Sequence, residues 1–85
     1  MRILAKVIKN NKIKKDYVYQ LENDFTIHDF FEYMSDICSE LDLPVPIVMT
    51  KHIKNFILFD STTFTQEDFV ETLGYDKLVL EIVKS

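Results

Sequence analysis

Three residue types that build tight or reactive sites are nearly missing from this sequence. Glycine, cysteine and arginine each occur once in 85 residues, and tryptophan is absent. Loops that cradle a phosphate need several glycines so that backbone N–H groups can approach the anion, and Gly74 stands alone. The sole cysteine, Cys38, excludes an internal disulfide, a four-cysteine zinc site and a cysteine-ligated iron–sulfur cluster. A single thiol also favours a reducing compartment.

Long apolar runs are missing as well. No run approaches the ~20 residues that span a bilayer, and the chain reaches a second charge at Lys6, too early for a signal-peptide core. We therefore expect no membrane partner and a cytoplasmic location. Glycine, alanine and arginine are rare while lysine, isoleucine and asparagine abound, a usage typical of AT-rich genomes, so we expect a bacterial or phage origin.

What the sequence does contain indicates one globular domain over residues 1–85. Apolar residues make up 47 % of the chain, and seven Phe and four Tyr supply bulky core material. The net charge of −4 is segregated: residues 1–15 carry +6, residues 16–50 carry −8 and residues 51–85 carry −2. Two interpretations stay open, because such blocks can neutralise each other within the fold or serve docking.

The first third of the chain predicts a β-hairpin, with strands at 2–9 and 13–21 and a polar tip. On both strands the apolar residues of one face are odd-numbered: Ile3, Ala5, Val7, Tyr17, Tyr19 and Leu21. If these residues pair across the two strands, the residue numbers of each opposite pair must add up to an even number. A plain two-residue turn at Asn10 and Asn11 would instead make the sum odd and place the two apolar sets on opposite faces. We therefore expect a loop of three or five residues, with a bulge.

A helix is predicted over residues 27–41, across one face of the sheet. Thr26 is the expected N-cap, Asp29 completes a weak capping box, and Phe25 and Phe30 form a hydrophobic staple. Apolar residues then recur with helical spacing to Leu41. Prolines follow at once and end the helix.

The second half of the chain predicts short strands at 47–50 and 56–59, a short helix at 66–73 and a terminal strand at 77–84. Thr65 and Asp68 repeat the capping pattern, and Gly74 supplies a left-handed stop. The predicted core is Ile3, Ala5, Val7, Tyr17, Leu21, Ile27, Phe30, Met34, Ile37, Cys38, Leu41, Leu78, Leu80 and Ile82.

This order, ββαββ(short α)β, predicts an α+β fold and resembles the β-grasp fold of ubiquitin over nearly the whole chain. The resemblance implies a mixed sheet whose first and last strands are parallel and adjacent. The alternative is an α+β fold with one antiparallel sheet and its helices on a single face. Ubiquitin-like modifiers end in Gly-Gly, whereas this chain ends Ile82-Val83-Lys84-Ser85, so conjugation is not expected.

No motif indicates catalysis, a metal site or a cofactor. Cys38 lies in the apolar stripe of the helix and is expected to be buried. His28 and His52 fall on separate polar segments: we expect His28 to be exposed in the first helical turn, and His52 to lie in a loop between Lys51 and Lys54, whose charges disfavour a metal. The helix carboxylates face solvent, without a pocket to tune them for acid–base work.

We therefore expect a non-catalytic protein-interaction domain, in the manner of a ubiquitin-like adaptor or small subunit. The preferred docking surface is the sheet face away from the helix: Leu4, Lys6, Ile8, Val18, Val48, Val79 and Val83. The second choice is the acidic helix face: Asp29, Glu32, Asp36 and Glu40. The alternative function is nucleic-acid binding through the basic hairpin at 6–15, which the single arginine and the overall acidity disfavour.

Overall fold

The computed structural model describes residues 1–84, and they form two layers. A four-stranded sheet is one layer, and two helices on one of its faces form the other. The elements are β1 (Arg2–Lys9), β2 (Lys12–Gln20), α1 (Phe30–Leu41), α2 (Thr50–Phe59), β3 (Ser61–Thr65) and β4 (Lys77–Val83), with 3₁₀ turns at Ile27–Asp29 and Gln66–Asp68. The α+β class and a long helix packed on one sheet face, both predicted from the sequence, are confirmed.

The strand order β2-β1-β4-β3 is antiparallel throughout. The expectation that the first and last strands are parallel is therefore wrong. They are adjacent at the centre of the sheet, as expected, but Ala5 lies opposite Leu80 in an antiparallel register. The reason is the connection: α1, α2 and the edge strand β3 intervene, and β3 returns to β4 as a neighbouring antiparallel strand. The alternative, one antiparallel sheet with helices on a single face, is what the chain forms.

The β1–β2 hairpin shows how the parity conflict is resolved. Asn10 and Asn11 form a two-residue loop with left-handed φ angles of 54° and 63°, which suits asparagine and the twist of a hairpin. The loop is shorter than predicted, but the predicted bulge is present: Val7 pairs with Lys15 while Ile8 pairs with Ile13. Lys14 is the extra residue. The bulge restores the even sum beyond it and keeps the apolar faces together.

The predicted helix at 27–41 is confirmed, with its first turn in 3₁₀ geometry. The staple is present, since the rings of Phe25 and Phe30 meet edge to face at 5.9 Å. The Thr26 hydroxyl donates to Asp29 instead of capping the backbone. At the other end, the Lys15 ammonium donates to the carbonyl of Leu41 at 2.8 Å, a favourable place for a cation.

The strands predicted at 47–50 and 56–59 are wrong, because residues 50–59 form one helix, α2. The run Phe56-Ile57-Leu58-Phe59 is rich in strand-forming residues, but a short apolar run does not distinguish strand from buried helix. Its packing decides the outcome: His52, Ile53 and Phe56 recur at helical spacing and turn toward the core.

The segment after α2 also differs from the prediction. Residues 61–65 form the edge strand β3, and the helix expected at 66–73 is only the 3₁₀ turn Gln66–Asp68. The capping box at its start is confirmed, with the N–H of Thr65 donating to Asp68 at 2.9 Å. Gly74 adopts a left-handed φ of 80°, although no helix ends there.

One core lies between the sheet and the helices. The predicted members Ile3, Ala5, Val7, Leu21, Phe30, Met34, Ile37, Cys38, Leu41, Leu78 and Leu80 are buried in it. Tyr17 and Ile82 are only partly buried, and Ile27 is 52 % exposed, contrary to expectation. The core also contains Tyr33, Phe56, Phe64, Phe69 and Leu73; four of these follow residue 50, where the predicted elements were wrong.

Candidate protein-binding surfaces

The sheet has one face that no described helix covers. Ile3, Ala5 and Val7 on β1 and Leu78 and Leu80 on β4 are fully buried beneath the helices. Their neighbours along each strand point to the opposite face, because side chains alternate. Leu4, Lys6, Ile8, Val18, Val79 and Val83 lie there together, in the arrangement predicted from the sequence. We call this the uncovered sheet face.

The register places these side chains in rows across the strands. Leu4 is opposite Val18 on one side, and Lys6 is opposite Val79 on the other. Each is partly shielded by its cross-strand neighbours, so most are half-buried, and Val18 on the edge strand is 50 % exposed. Val83, opposite Arg2, lies at the end of the sheet. The rows give a flat surface with accessible apolar area.

An ion pair lies near the middle of the uncovered sheet face. Lys6 and Glu81 are diagonal neighbours on β1 and β4, and their side chains are bridged while 23 % and 37 % exposed. Such a half-exposed pair contributes up to about 1 kcal/mol to folding. Its charges cancel at the centre, so a partner meets apolar rows around a neutral polar pair.

Ile13 belongs to the uncovered sheet face, and the sequence argument missed it. It is odd-numbered, which would place it with Tyr17 in the core, but the bulge at Lys14 reverses the alternation before it. Ile13 therefore pairs with Ile8 and is 55 % exposed. The apolar pattern of the two strands predicts a bulge, and a bulge placed at Lys14 would have assigned Ile13 to the uncovered sheet face.

Val48 is not part of this face. Alternation along the strand predicted at 47–50 would place Val48 on this face and turn Ile47 and Met49 inward. Residues 43–49 form no strand, and Val48 packs against the core while Ile47 and Met49 are 54 % and 51 % exposed. The inward and outward assignments are reversed because this segment leads into α2 beneath the sheet.

The acidic helix face is present, with Glu32, Asp36 and Glu40 exposed along α1 and Asp29 in the preceding 3₁₀ turn. Asp36 accepts a hydrogen bond from the Tyr19 hydroxyl at 2.7 Å, which raises the pKa of that tyrosine well above its usual value. The hydrogen bonds from His28 and Thr26 lower the pKa of the Asp29 carboxyl.

Beside the acidic helix face is a shallow cleft of about 390 Å³. It lies between the end of β2 and the first turns of α1, and its walls carry five carboxylates: Glu22, Asp24, Asp29, Glu32 and Asp36. Within residues 1–84 no three His, Cys, Asp or Glu side chains are arranged to hold a metal ion. The cleft is therefore a region of negative potential without a coordination site.

The basic hairpin tip is partly engaged within the chain. Lys15 is drawn to the end of α1 and lies 5.7 Å from the ring centre of Tyr75. Asp76 accepts a hydrogen bond from the backbone N–H of Asn10 at 2.8 Å, and so adds a negative charge to the tip. Lys9, Lys12 and Lys14 remain exposed.

Cys38 is fully buried, as predicted, and burial raises the pKa of its thiol to about 11. A thiol in this state is a poor nucleophile. Its surroundings in the core give it a packing role.

His52 is a buried residue of α2, contrary to the prediction that it lies in a polar loop. Its ring is 1 % exposed and stacks on Phe64 at 4.3 Å. Nδ1 accepts the N–H of Met49 at 2.9 Å, and Nε2 lies 3.3 Å from Asp68 without hydrogen-bond geometry. Because Nδ1 is engaged and the ring is closed to solvent, the His52–Asp68 pair joins α2 to the 3₁₀ turn and offers no accessible base. The i, i+4 spacing of His52 and Phe56 was the sequence signal for its burial.

Comparison with family models, with curated proteins and with solved structures found no significant match. No helix in residues 1–84 has the length and apolar character needed to cross a membrane.

Proposed function

We propose that this protein is a non-catalytic protein-interaction domain whose partner binds the uncovered sheet face. The observation that carries the proposal is a set of apolar side chains on a sheet face that no described helix covers: Leu4 opposite Val18, Ile8 opposite Ile13, and Val79 diagonal to Ile8. Apolar side chains bordered by charges are typical of interfaces between proteins that also exist apart.

The burial of the cysteine and of His52, and the exposure of the helix carboxylates, support a binding function over a catalytic one. Cys38 is buried with a raised pKa, and both ring nitrogens of His52 face protein atoms. The carboxylates of α1 are exposed to water, whereas acid–base catalysis needs a group that its surroundings position and tune.

The proposed partner surface is flat, largely apolar and has a polar group near its centre. That polar group would form hydrogen bonds with Lys6 or Glu81, because charges that lose their contact with water in an interface need polar partners. The proposal places the domain in a reducing cytoplasm, with the thiol of Cys38 unpaired.

The experiment is quantitative capture from cells of the native host, followed by identification and a binding measurement with the purified partner. Ile8→Asp combined with Val79→Lys should abolish binding, since it puts opposite charges across the apolar rows. A urea melt must show that the variant stays folded. Val70→Asp is the matched control, because Val70 is 85 % exposed and lies outside the sheet.

Two results would contradict the assignment. Binding unchanged by the sheet variant but lost when Asp29, Glu32 and Asp36 are replaced by lysine would move the site to the acidic helix face. Binding unchanged by both sets would reject both surfaces.

Nucleic-acid binding through residues 6–15 is the alternative function, supported by the exposed Lys9, Lys12 and Lys14. Asp76 and the engagement of Lys15 count against it. Duplex DNA at ~50 mM salt is the decisive probe, because phosphate contacts give affinity that falls steeply with added salt. Absence of binding there rejects the alternative.

A further inference from the structure

The outer side of the helix layer carries two halves of opposite charge. The acidic half is the exposed surface of α1: Phe31, Glu32, Ser35, Asp36, Ser39 and Glu40. The basic half is the exposed surface of α2: Lys51, Lys54, Ile57, Leu58 and Phe59. Both helices cover the same sheet face, so the two halves belong to one surface.

Each half displays large apolar side chains to solvent. Phe31 is 66 % exposed, and Leu58 and Phe59 are 61 % and 70 % exposed. Single exposed apolar residues are ordinary on a protein surface. Three consecutive ones, Ile57 to Phe59, at the end of a helix that also buries Phe56 are not explained by the packing of this chain.

Of these apolar residues, Leu58 lies within a stripe of basic residues. Lys51, Lys54 and Leu58 follow each other at i, i+3 and i+7, so they form one stripe along α2. Glu32 and Asp36 form the matching stripe on α1, with the small Ser35 and Ser39 beside them. Residues 43–59 contain no acidic side chain, and residues 16–50 contain no Lys or Arg.

These charges have no ion-pair partner among residues 1–84, although Lys51 lies near enough to Asp68 to lower the pKa of that carboxyl. The ion pairs among residues 1–84 join Lys6 to Glu81, Lys84 to Asp60, and two histidines to aspartates. None of them involves Lys51, Lys54, Glu32 or Glu40.

We propose that the helix layer is a self-complementary surface through which two copies of this chain form a twofold-symmetric dimer. A two-fold axis requires one patch to match itself after rotation. With the axis between the helices, α1 of each copy lies on α2 of the other, so the Glu32 stripe meets the Lys51 stripe twice. Phe31 and Leu58 of opposite copies fill the interface between them.

This dimer is independent of the proposed partner site and goes beyond it. Because the helix layers meet in the middle, both uncovered sheet faces point outward. The assembly would present two partner surfaces in opposite directions, and its loss would leave a single surface intact on each monomer.

The test is sedimentation equilibrium of the purified chain from about 5 µM to about 1 mM, which covers weak and moderate dimers. We expect a monomer–dimer equilibrium that weakens with added salt. Leu58→Asp should raise the dissociation constant at least ~10-fold, while Val70→Asp, a control at a still more exposed apolar residue outside the helices, should leave it unchanged.

A charge-exchange set identifies which halves meet. Lys51→Glu with Lys54→Glu should weaken the dimer, and so should Glu32→Lys with Glu40→Lys. Equimolar mixing of these two variants should restore both α1–α2 contacts in the mixed dimer, one with the original charges and one with the charges exchanged. The quadruple variant should restore both contacts by itself. Glu71→Lys is the control for net charge, since Glu71 is exposed and remote in sequence from both helices.

Three results would overturn the proposal. One is a monomer at all concentrations. Another is a dimer indifferent to Leu58→Asp and to the charge reversals, which would place the interface elsewhere. The third is binding to anionic phosphatidylserine vesicles, lost on reversing Lys51 and Lys54, without dimer formation, which would make a lipid surface the occupant.

Discussion

The contact between α2 and the 3₁₀ turn is held by Asp68, and its removal gives the sharpest test of the fold. Asp68 is 7 % exposed, accepts the N–H of Thr65 at 2.9 Å and lies 3.3 Å from Nε2 of His52. Since Nδ1 of His52 accepts the N–H of Met49, the neutral ring carries its proton on Nε2, toward Asp68. One carboxylate thus serves a capping box and a buried imidazole.

The expected effect of Asp68→Ala follows from these two losses. Removing a capping side chain costs about 0.5–2 kcal/mol. The buried Nε2 of His52 is then left without a nearby acceptor, which costs up to about 1–3 kcal/mol in well-formed cases. The His52 contact is long and off-line, so we expect the free energy of unfolding to fall by about 1–3 kcal/mol in total. That is a large part of the stability of a domain of this size.

The same carboxylate makes this difference depend on pH. Burial raises the pKa of Asp68, but the hydrogen bond from the Thr65 N–H and the electrostatic effect of the nearby His52 and Lys51 lower it by more, so the net pKa is below the ordinary 3.8. A carboxyl with a lower pKa in the folded state contributes stability above its unfolded pKa and loses it as pH falls through the folded one. The gap between wild type and Asp68→Ala should therefore be widest near neutral pH and narrow below pH 3.8.

Urea unfolding followed by far-UV circular dichroism at about pH 7, 5 and 3 measures this gap. Glu67→Ala is the matched control, because Glu67 is exposed in the same 3₁₀ turn and should change stability by less than about 0.5 kcal/mol. A difference for Asp68→Ala as small as the control's, or a gap that stays constant down to about pH 3, would refute the reasoning.

Three further predictions address the core, the hairpin and the thiol. Phe56→Ala should lower the free energy of unfolding by about 3–5 kcal/mol, because Phe56 is fully buried and contacts Phe30. Phe59 is 70 % exposed, so Phe59→Ala should change the free energy of unfolding by less than about 0.5 kcal/mol. Equal effects of the two variants in urea melts would show that α2 does not turn Phe56 toward the core. Asn11→Val should destabilise the hairpin by about 1–2 kcal/mol, because the φ of 63° at this position is unfavourable for valine. Asn11→Gly should not destabilise it, since glycine adopts this φ freely. Similar melting temperatures for the two variants would contradict the left-handed conformation of the loop. Burial raises the pKa of Cys38 to about 11, so the folded protein should react with a thiol reagent only as fast as it unfolds, and prompt labelling at about pH 8 would show that the site is open.

Much of this architecture follows from local sequence. The helix at 27–41 is signalled by an apolar stripe at helical spacing and by a staple that the structure shows as an edge contact between Phe25 and Phe30. The hairpin bulge follows from parity alone, because only an even sum keeps Ala5 and Tyr17 on one face. Along β1 and β4, alternation identified the uncovered sheet face. Each of these features depends on the spacing of residues along a helix or strand, because that spacing determines which face a side chain occupies.

Tertiary contacts decided the rest. Residues 50–59 have the β-branched and aromatic composition of strands, and they are helical because His52 and Phe56 reach Phe64 and Phe30 from that backbone. The orientation of β4 depends on where β3 pairs, and no local signal specifies that pairing. Leu58 is exposed because the core covers the opposite side of α2. These features depend on the packing of segments far apart in the chain, which composition and spacing within a segment do not encode.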